Sequence, residues 1–149
     1  MKRTIIFDWK RTLYDPEGKV LIAGARELLD VLRNKGVQMI LVGKGDEDMH
    51  AEVKRLGVEG YFAHISFREG AKDDTLFSEH MSEDPQETLF IGDRIRSELA
   101  VGKRLGAHTL WVRQGKFADE APESEEQQPN YMVSSLPEAT RLLKALHVA

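Results

Sequence analysis

The segment TIIFDWKRTL, residues 4–13, places a short apolar run directly before a charged turn. The run has the β-branched and aromatic character of a buried strand. In open α/β sheets, ligands bind outside the carboxyl ends of the strands, so a carboxylate at such an end is a candidate for chemistry. Asp8 is therefore the first candidate functional residue. Because an aspartate after a strand is also a common turn residue, the assignment depends on what ends the later strands.

Length and composition predict one domain over residues 1–149. The chain is 41% hydrophobic and 31% charged, which suffices for a substantial core. It contains no cysteine, so disulfides, thiolate catalysis and Cys-ligated zinc are excluded. A formal net charge of -4 argues against a broad nucleic-acid-binding surface. The apolar run after Met1-Lys2-Arg3 is too short for a signal peptide and no later run reaches membrane-spanning length, so a cytoplasmic protein is expected.

The remainder of the chain alternates predicted strands and helices. The turn Asp15-Pro16-Glu17-Gly18 predicts a small flap hairpin after the first strand. Further strands are predicted over 37–42, 61–67, 88–91, 108–112 and 131–133, and helices over 24–35, 46–56, 72–81, 95–105 and 137–146. The polar segment 113–130 is expected to be a solvated surface loop. Short connections in this order predict a three-layer α/β fold with a doubly wound, Rossmann-like parallel sheet and no room for a cap domain.

Residues that could bind a metal ion or take part in catalysis recur where these strands end. The fourth strand is followed by Asp93, with Glu98 five residues later, and Lys72 begins the helix before that strand. The carboxyl ends of parallel strands share one edge, so these residues are expected to converge with Asp8. Carboxylates and a lysine together suit a hard cation such as Mg²⁺ and a phosphate held against it. Asp93 and Glu98 could instead be only the solvated start of a helix, but the joint arrangement favours a site.

The order of elements over residues 4–148 resembles that of the haloacid-dehalogenase-like (HAD) superfamily, whose members are mostly phosphohydrolases with an aspartate nucleophile. The resemblance is carried by Phe7-Asp8-x-x-x-Thr12-Leu13, by Lys72, and by Leu89-Phe90-Ile91-Gly92-Asp93-x-x-x-x-Glu98. It implies that Asp8 attacks phosphorus and that Lys72 neutralises charge at the nucleophile. It further implies that Mg²⁺ is held by Asp8, Asp93 and Glu98, and that phosphate is bound near Thr12, Gly43 and Lys44.

Two positions depart from the superfamily pattern. Lys10 stands where phosphatases usually carry a second aspartate as general acid and base, a loss that typically costs about 10² to 10⁴ in rate. Lys10 could instead pair with Asp8. Gly43 stands where a serine or threonine usually donates a hydrogen bond to phosphate, and Gly43→Ser is expected to restore that donor. Backbone N–H groups at Gly43, Lys44 and Gly45 could still hold a phosphate.

These features leave two function classes. The first is a capless Mg²⁺-dependent phosphatase acting on a small-molecule or macromolecular phosphate ester. The second is a catalytically impaired relative that binds a phosphorylated ligand or a protein through the same surface. Dehalogenase chemistry is a minor option, because no stretch supplies a halide cradle. A neighbouring subunit could also close a capless site, so a homo-oligomer is possible. Trp9 could either stack on a substrate or cover the core beneath the flap.

Overall fold

The computed structural model describes residues 3–70 and 74–148. The strands are β1 (Thr4–Phe7), β2 (Tyr14–Asp15), β3 (Val20–Leu21), β4 (Gln38–Lys44), β5 (His64–Arg68), β6 (Thr88–Gly92), β7 (His108–Val112) and β8 (Tyr131–Val133). The helices are α1 (Ala25–Asn34), α2 (Glu47–Arg55), α3 (Asp74–Ser78), α4 (Glu98–Arg104) and α5 (Leu136–Ala145). None of these described helices is long and apolar enough to cross a membrane.

The main sheet is parallel and has the strand order β5-β4-β1-β6-β7-β8. From β1 the chain winds to β4 and β5 on one side and to β6, β7 and β8 on the other. The predicted doubly wound α/β sheet is thereby confirmed. The winding reverses between β1 and β6, and such a switch point opens a crevice at the carboxyl edge of the sheet. Phe7 pairs with Ile91 there, and the Asp8 backbone N–H donates to the Ile91 carbonyl at 3.0 Å.

The sheet lies between two helical layers because its strands are apolar on both faces. Along β1, Ile5 and Phe7 face the core that α1 and α5 cover, whereas Ile6 faces the core that α3 and α4 cover. This alternation follows from the two-residue side-chain period of a strand. Local capping fixes where helices begin: the Asp46 carboxylate accepts from the Asp48 N–H before α2.

Several predicted boundaries move for identifiable reasons. β4 does not end at residue 42 but continues through Gly43 and Lys44, because both residues pair with β5. β5 begins only at His64, since Glu59–Tyr61 forms a 3₁₀ turn. α4 begins at Glu98 rather than at residue 95, and α3 begins at Asp74 among the described residues. The predicted helix start at Lys72 lies outside the described residues.

The flap is a short antiparallel pair, β2 and β3, as the turn sequence predicts. Its turn is closed by the Lys19 N–H, which donates to the Asp15 carbonyl at 2.8 Å. The flap is tied to α2, since the Tyr14 hydroxyl donates to Glu52 at 2.9 Å and Arg55 donates to the Lys19 carbonyl at 2.6 Å. No cap domain is inserted in the described part of the chain.

The segment 113–130 is exposed at most of its positions, as expected for a surface loop, but it also contains short local structure. It contains 3₁₀ turns at Gly115–Phe117 and Glu125–Gln127. The Gln114 side chain donates to the carbonyls of Arg11 and Thr12 at 3.2 and 3.3 Å, which brings this loop against the turn after β1. Polar composition predicted solvation, and most of the segment is exposed, although Gln114 is half-buried and bonds to another segment.

Candidate active site at the sheet switch point

Three carboxylates meet at the crevice between β1 and β6. Asp8 follows β1, Asp93 follows β6 and Glu98 is the first residue of α4. One carboxylate oxygen of each lies within 4.8 Å of the others, and all three residues are buried. The structure therefore brings together the three residues that the sequence proposed as metal ligands.

The cluster is electrostatically unfavourable without a cation. Burial, together with the negative charges of Asp8 and Glu98, raises the pKa of Asp93 to about 9. The Asp93 Oδ2 atom is buried and accepts no hydrogen bond from any described residue. An all-oxygen donor set with an unsatisfied carboxylate atom is what a hard divalent cation requires, so the residues present fit Mg²⁺.

Thr12 lies beneath the carboxylates rather than on the surface of the cleft. Its side chain is fully buried, and Thr12 Oγ1 lies 3.4 Å from both Asp8 Oδ2 and Asp93 Oδ1. A hydroxyl has one proton, so it donates to one carboxylate at a time. This position suits Thr12 to orient the carboxylates, and direct contact with phosphate stays a prediction.

A small cleft of about 110 Å³ opens above the carboxylates, and both predicted lysines of the described region line it. Lys10 is half-buried and Lys44 is exposed. Both lysines line the cleft together with Asp8 and Asp93, and pairing of Lys10 with Asp8 stays a prediction. Lys72 lies outside the described residues, and its role stays a prediction.

Gly43 occupies a position with no room for a side chain. A Cβ atom there would lie 2.8 Å from Phe67 Cε1 and 2.9 Å from Trp9 Cβ, closer than such atoms approach. The expected benefit of Gly43→Ser is therefore in conflict with the packing. Trp9 is fully buried and stacks on Tyr14, with ring centroids 5.0 Å apart, so it covers the core beneath the flap and is inaccessible to a substrate.

Arg11, Arg94 and Phe117 also line the cleft, and sequence reasoning missed Arg11 and Phe117. The Arg94 guanidinium lies over the Phe117 ring at 4.1 Å, and Glu120 accepts from Arg94 Nε and Nη2 at 3.2 and 3.0 Å. Glu120 also accepts from the Ile95 N–H at 3.1 Å, in the loop between β6 and α4. Phe117 is an isolated phenylalanine in a polar segment, and this was the sequence feature that could have indicated its role in the cleft.

Comparison with known proteins agrees with this geometry. A family model described as HAD-hydrolase-like matches residues 70–139. The resemblance to the HAD superfamily is confirmed. The chain is 28% identical over 131 residues to the glyceraldehyde 3-phosphate phosphatase of Pyrococcus furiosus, covering 83% of this chain and 54% of that protein. It is 32% identical over 103 residues to the enzyme of the same name from Pyrococcus abyssi, covering 64% and 43%.

The chain spans about half the length of these curated relatives. Solved structures extend the likeness to the whole fold. A protein from Listeria monocytogenes serotype 4b has a TM-score of 0.77 at 18% identity, with 99% of each chain covered. The putative HAD-hydrolase YfnB from Bacillus subtilis, bound to magnesium, has a TM-score of 0.70 at 24% identity, covering 85% of this chain and 57% of that one. At these identities the likeness establishes the HAD-like fold alone.

Proposed function

We propose that this HAD-like chain is a Mg²⁺-dependent, cytoplasmic phosphatase that uses Asp8 as nucleophile on a phosphate ester. The observation that carries the proposal is the convergence of Asp8, Asp93 and Glu98 at the switch point of the sheet. Further support comes from the curated relatives, both of which are named as phosphatases. Because the chain spans about half of each relative, their substrate is not transferred to it.

The metal would be held by Asp8, Asp93 and Glu98. The buried Asp93 Oδ2 atom, which no described residue satisfies, gives it a ligand atom in a dry position. When bound, Mg²⁺ supplies positive charge against the oxygens of the transferred phosphoryl group. The same charge would keep Asp93 ionised.

In the first step, a carboxylate oxygen of Asp8 attacks phosphorus and the ester P–O bond breaks. The products are an aspartyl-phosphate and the leaving alkoxide, and splitting the displacement in this way lowers each barrier. In the second step, water attacks the same phosphorus, the bond to Asp8 breaks, and inorganic phosphate leaves. Thr12 would orient the nucleophile, and Lys72 is proposed to neutralise charge at the phosphoryl group.

Lys10 is proposed to carry the proton in both steps. Its ammonium would give a proton to the leaving oxygen, and the resulting amine would take one from the attacking water. Lys10 is suited to this because it lines the same cleft as Asp8. An ammonium is a weaker acid than a carboxylic acid, so turnover is expected to be slower than with an aspartate at this position.

A second candidate function follows from Gly43. Its surroundings exclude the hydroxyl donor that phosphate would usually meet there. A catalytically impaired protein that binds a phosphorylated ligand, or a protein carrying one, would retain the cation site and the cleft without efficient turnover. Inorganic phosphate or a phosphate analogue would then bind with Mg²⁺ although no ester is hydrolysed.

A phosphatase assay with a matched variant pair separates these functions. The wild type, Asp8→Asn and the control Asp119→Asn, which removes an exposed carboxylate, would be assayed on a panel of phosphate esters with Mg²⁺ or EDTA. Hydrolysis that needs Mg²⁺, persists in the control and is lost in Asp8→Asn supports the phosphatase. Mg²⁺-dependent binding of beryllium fluoride without hydrolysis supports the second candidate, and absence of both contradicts each proposal.

A further inference from the structure

We propose that the cleft selects phosphate esters that carry a second anionic group, which Arg11 and Arg94 bind beside the Phe117 ring. This inference rests on the proposed phosphatase function and names its substrate class. The second group is a carboxylate or another phosphate, since both present paired oxygens to a guanidinium.

The geometry begins with one aromatic ring and two guanidinium groups. Arg94 Cζ lies 4.1 Å and Arg11 Cζ 5.9 Å from the centroid of Phe117. All three residues line the same cleft as Asp8. They come from the turn after β1, the loop after β6 and the loop after β7, so the tertiary structure assembles a cationic rim from separate segments. A planar guanidinium that lies over a ring keeps its N–H donors directed outward from its edge.

Arg94 is held in place by a buried partner. The Glu120 side chain is 8% exposed and accepts from two nitrogens of Arg94, whose own side chain is 34% exposed. A guanidinium has five N–H donors, so these bonds leave further donors for a ligand. Such preorganisation lowers the entropic cost of binding an anion.

Arg11 is held by its backbone. Its φ of 65° is in the left-handed region, which an arginine rarely adopts. The conformation is kept by the Arg11 N–H, which donates to the Tyr14 carbonyl at 2.7 Å, and by Gln114, which donates to the Arg11 carbonyl. The side chain has a weak partner in Glu17, at 3.7 Å and 75% exposed, and solvent screens such a pair. Arg11 is therefore available to an anionic ligand.

The rim adds positive charge to the cleft from outside the carboxylate cluster. Arg11 and Arg94 line the cleft together with Asp8, and Lys44 adds another cation to the same lining. A monoester with a neutral remainder would offer no charge of opposite sign to the two guanidinium groups. The cleft of about 110 Å³ also requires the two anionic groups to be only a few bonds apart.

Three compounds built on the same three-carbon chain test whether the cleft selects a second anionic group. They are 3-hydroxypropyl phosphate, which has a neutral remainder, 3-phosphooxypropanoate, which adds a carboxylate, and propane-1,3-diyl bisphosphate, which adds a phosphate. We expect kcat/KM to favour at least one anionic compound over the neutral one by about tenfold in the wild type. Which of the two is favoured identifies the second group.

The matched variants are Arg11→Asn and Arg33→Asn. Asparagine tolerates a positive φ, so the first variant removes the charge without forcing the backbone to move. Arg33 also lies over a ring, 4.3 Å from the centroid of Tyr61, and also pairs with an acid, but it does not line the cleft. The preference for the anionic compound should fall at least about fivefold in Arg11→Asn and stay unchanged in Arg33→Asn.

Calorimetry separates this inference from the phosphatase proposal. It measures the binding of the three compounds, in the presence of Mg²⁺, to Asp8→Asn and to the double variant that also carries Arg11→Asn. If the wild type hydrolyses none of the three compounds, the ratio of dissociation constants still decides the selection, whereas the ester panel decides the phosphatase proposal. A tighter anionic compound whose advantage is lost with Arg11→Asn supports the inference. Equal affinities, an advantage that survives Arg11→Asn, or no binding of any compound overturns it.

Discussion

Among single residues, Gly43 shows how packing limits what the cleft can contain. A Cβ at this position would lie 2.8 Å from the Phe67 ring, and overpacking of this kind costs about 1–3 kcal/mol. We predict that Gly43→Ser lowers the free energy of unfolding by that amount and does not raise phosphatase activity. Urea denaturation checks the stability. Gly60→Ser is the control, since a Cβ there meets nothing within 4 Å, and equal stability of the two variants would contradict the prediction.

Asp93 gives a pH-dependent prediction for the metal-free protein. The pKa of its carboxyl is raised from 3.8 to about 9 by burial and by Asp8 and Glu98. Between those values the folded state keeps a proton that the unfolded state releases, so the free energy of unfolding falls as pH rises. Asp93→Asn stays neutral and should flatten this fall.

The measurement is urea denaturation in EDTA between about pH 5 and about pH 8. Asp119→Asn is the control, because its exposed carboxylate is outside the cluster and its removal should leave the pH slope of the wild type unchanged. An Asp93→Asn variant with the wild-type slope would show that Asp93 is not the group responsible.

Among elements, the loop after β7 supports the loop that joins Asp93 to Glu98, the first residue of α4. Glu120 accepts from the Ile95 N–H at 3.1 Å and from Arg94, and its side chain is buried. We predict that Glu120→Ala weakens Mg²⁺ binding about tenfold, because residues that orient metal ligands typically have effects of this size. Calorimetric titration with Mg²⁺ measures the dissociation constant.

Two further variants show whether a change in Mg²⁺ affinity comes from the contacts of Glu120. Glu120→Gln keeps an oxygen acceptor for the Ile95 N–H and should recover part of the affinity. Glu123→Ala removes a more exposed carboxylate, which pairs with Arg96 at 3.4 Å, and should leave Mg²⁺ affinity unchanged. Equal Mg²⁺ affinity in Glu120→Ala and the wild type would show that the loop after β7 does not support the metal ligands.

For the whole molecule, the proposed ligands Asp8 and Asp93 are far apart in sequence and meet only because β1 and β6 are neighbours. Unfolding separates them, so Mg²⁺ should bind the folded state and stabilise it by about 2.7 kcal/mol at a hundred times its dissociation constant. Thermal unfolding should therefore shift upward with Mg²⁺ and not with NaCl of equal ionic strength. A shift that survives in Asp93→Asn would place the ion elsewhere.

The sequence by itself determined the strand-helix alternation, the parallel sheet and the convergence of Asp8, Asp93 and Glu98. These features depend on local rules: apolar periodicity selects the element, and capping residues such as Asp46 mark helix starts. The shared edge then follows, because right-handed crossovers return each parallel strand in the same direction. The position of Asp8 after β1 therefore predicts that Asp93 and Glu98 lie near it, although they are remote in the chain.

Only the tertiary structure decided the lining of the cleft. Gly43 is crowded by Phe67 and Trp9, and Phe117 reaches Arg11 from about a hundred residues away in sequence. No local period encodes such contacts, because they depend on how separate loops pack after the sheet has formed. The polar composition of residues 113–130 indicated solvent exposure, which most of them have, yet the Glu120 side chain is only 8% exposed and accepts hydrogen bonds from a neighbouring loop. Burial of a charged side chain is set by its partners, and those partners exist only in the folded protein.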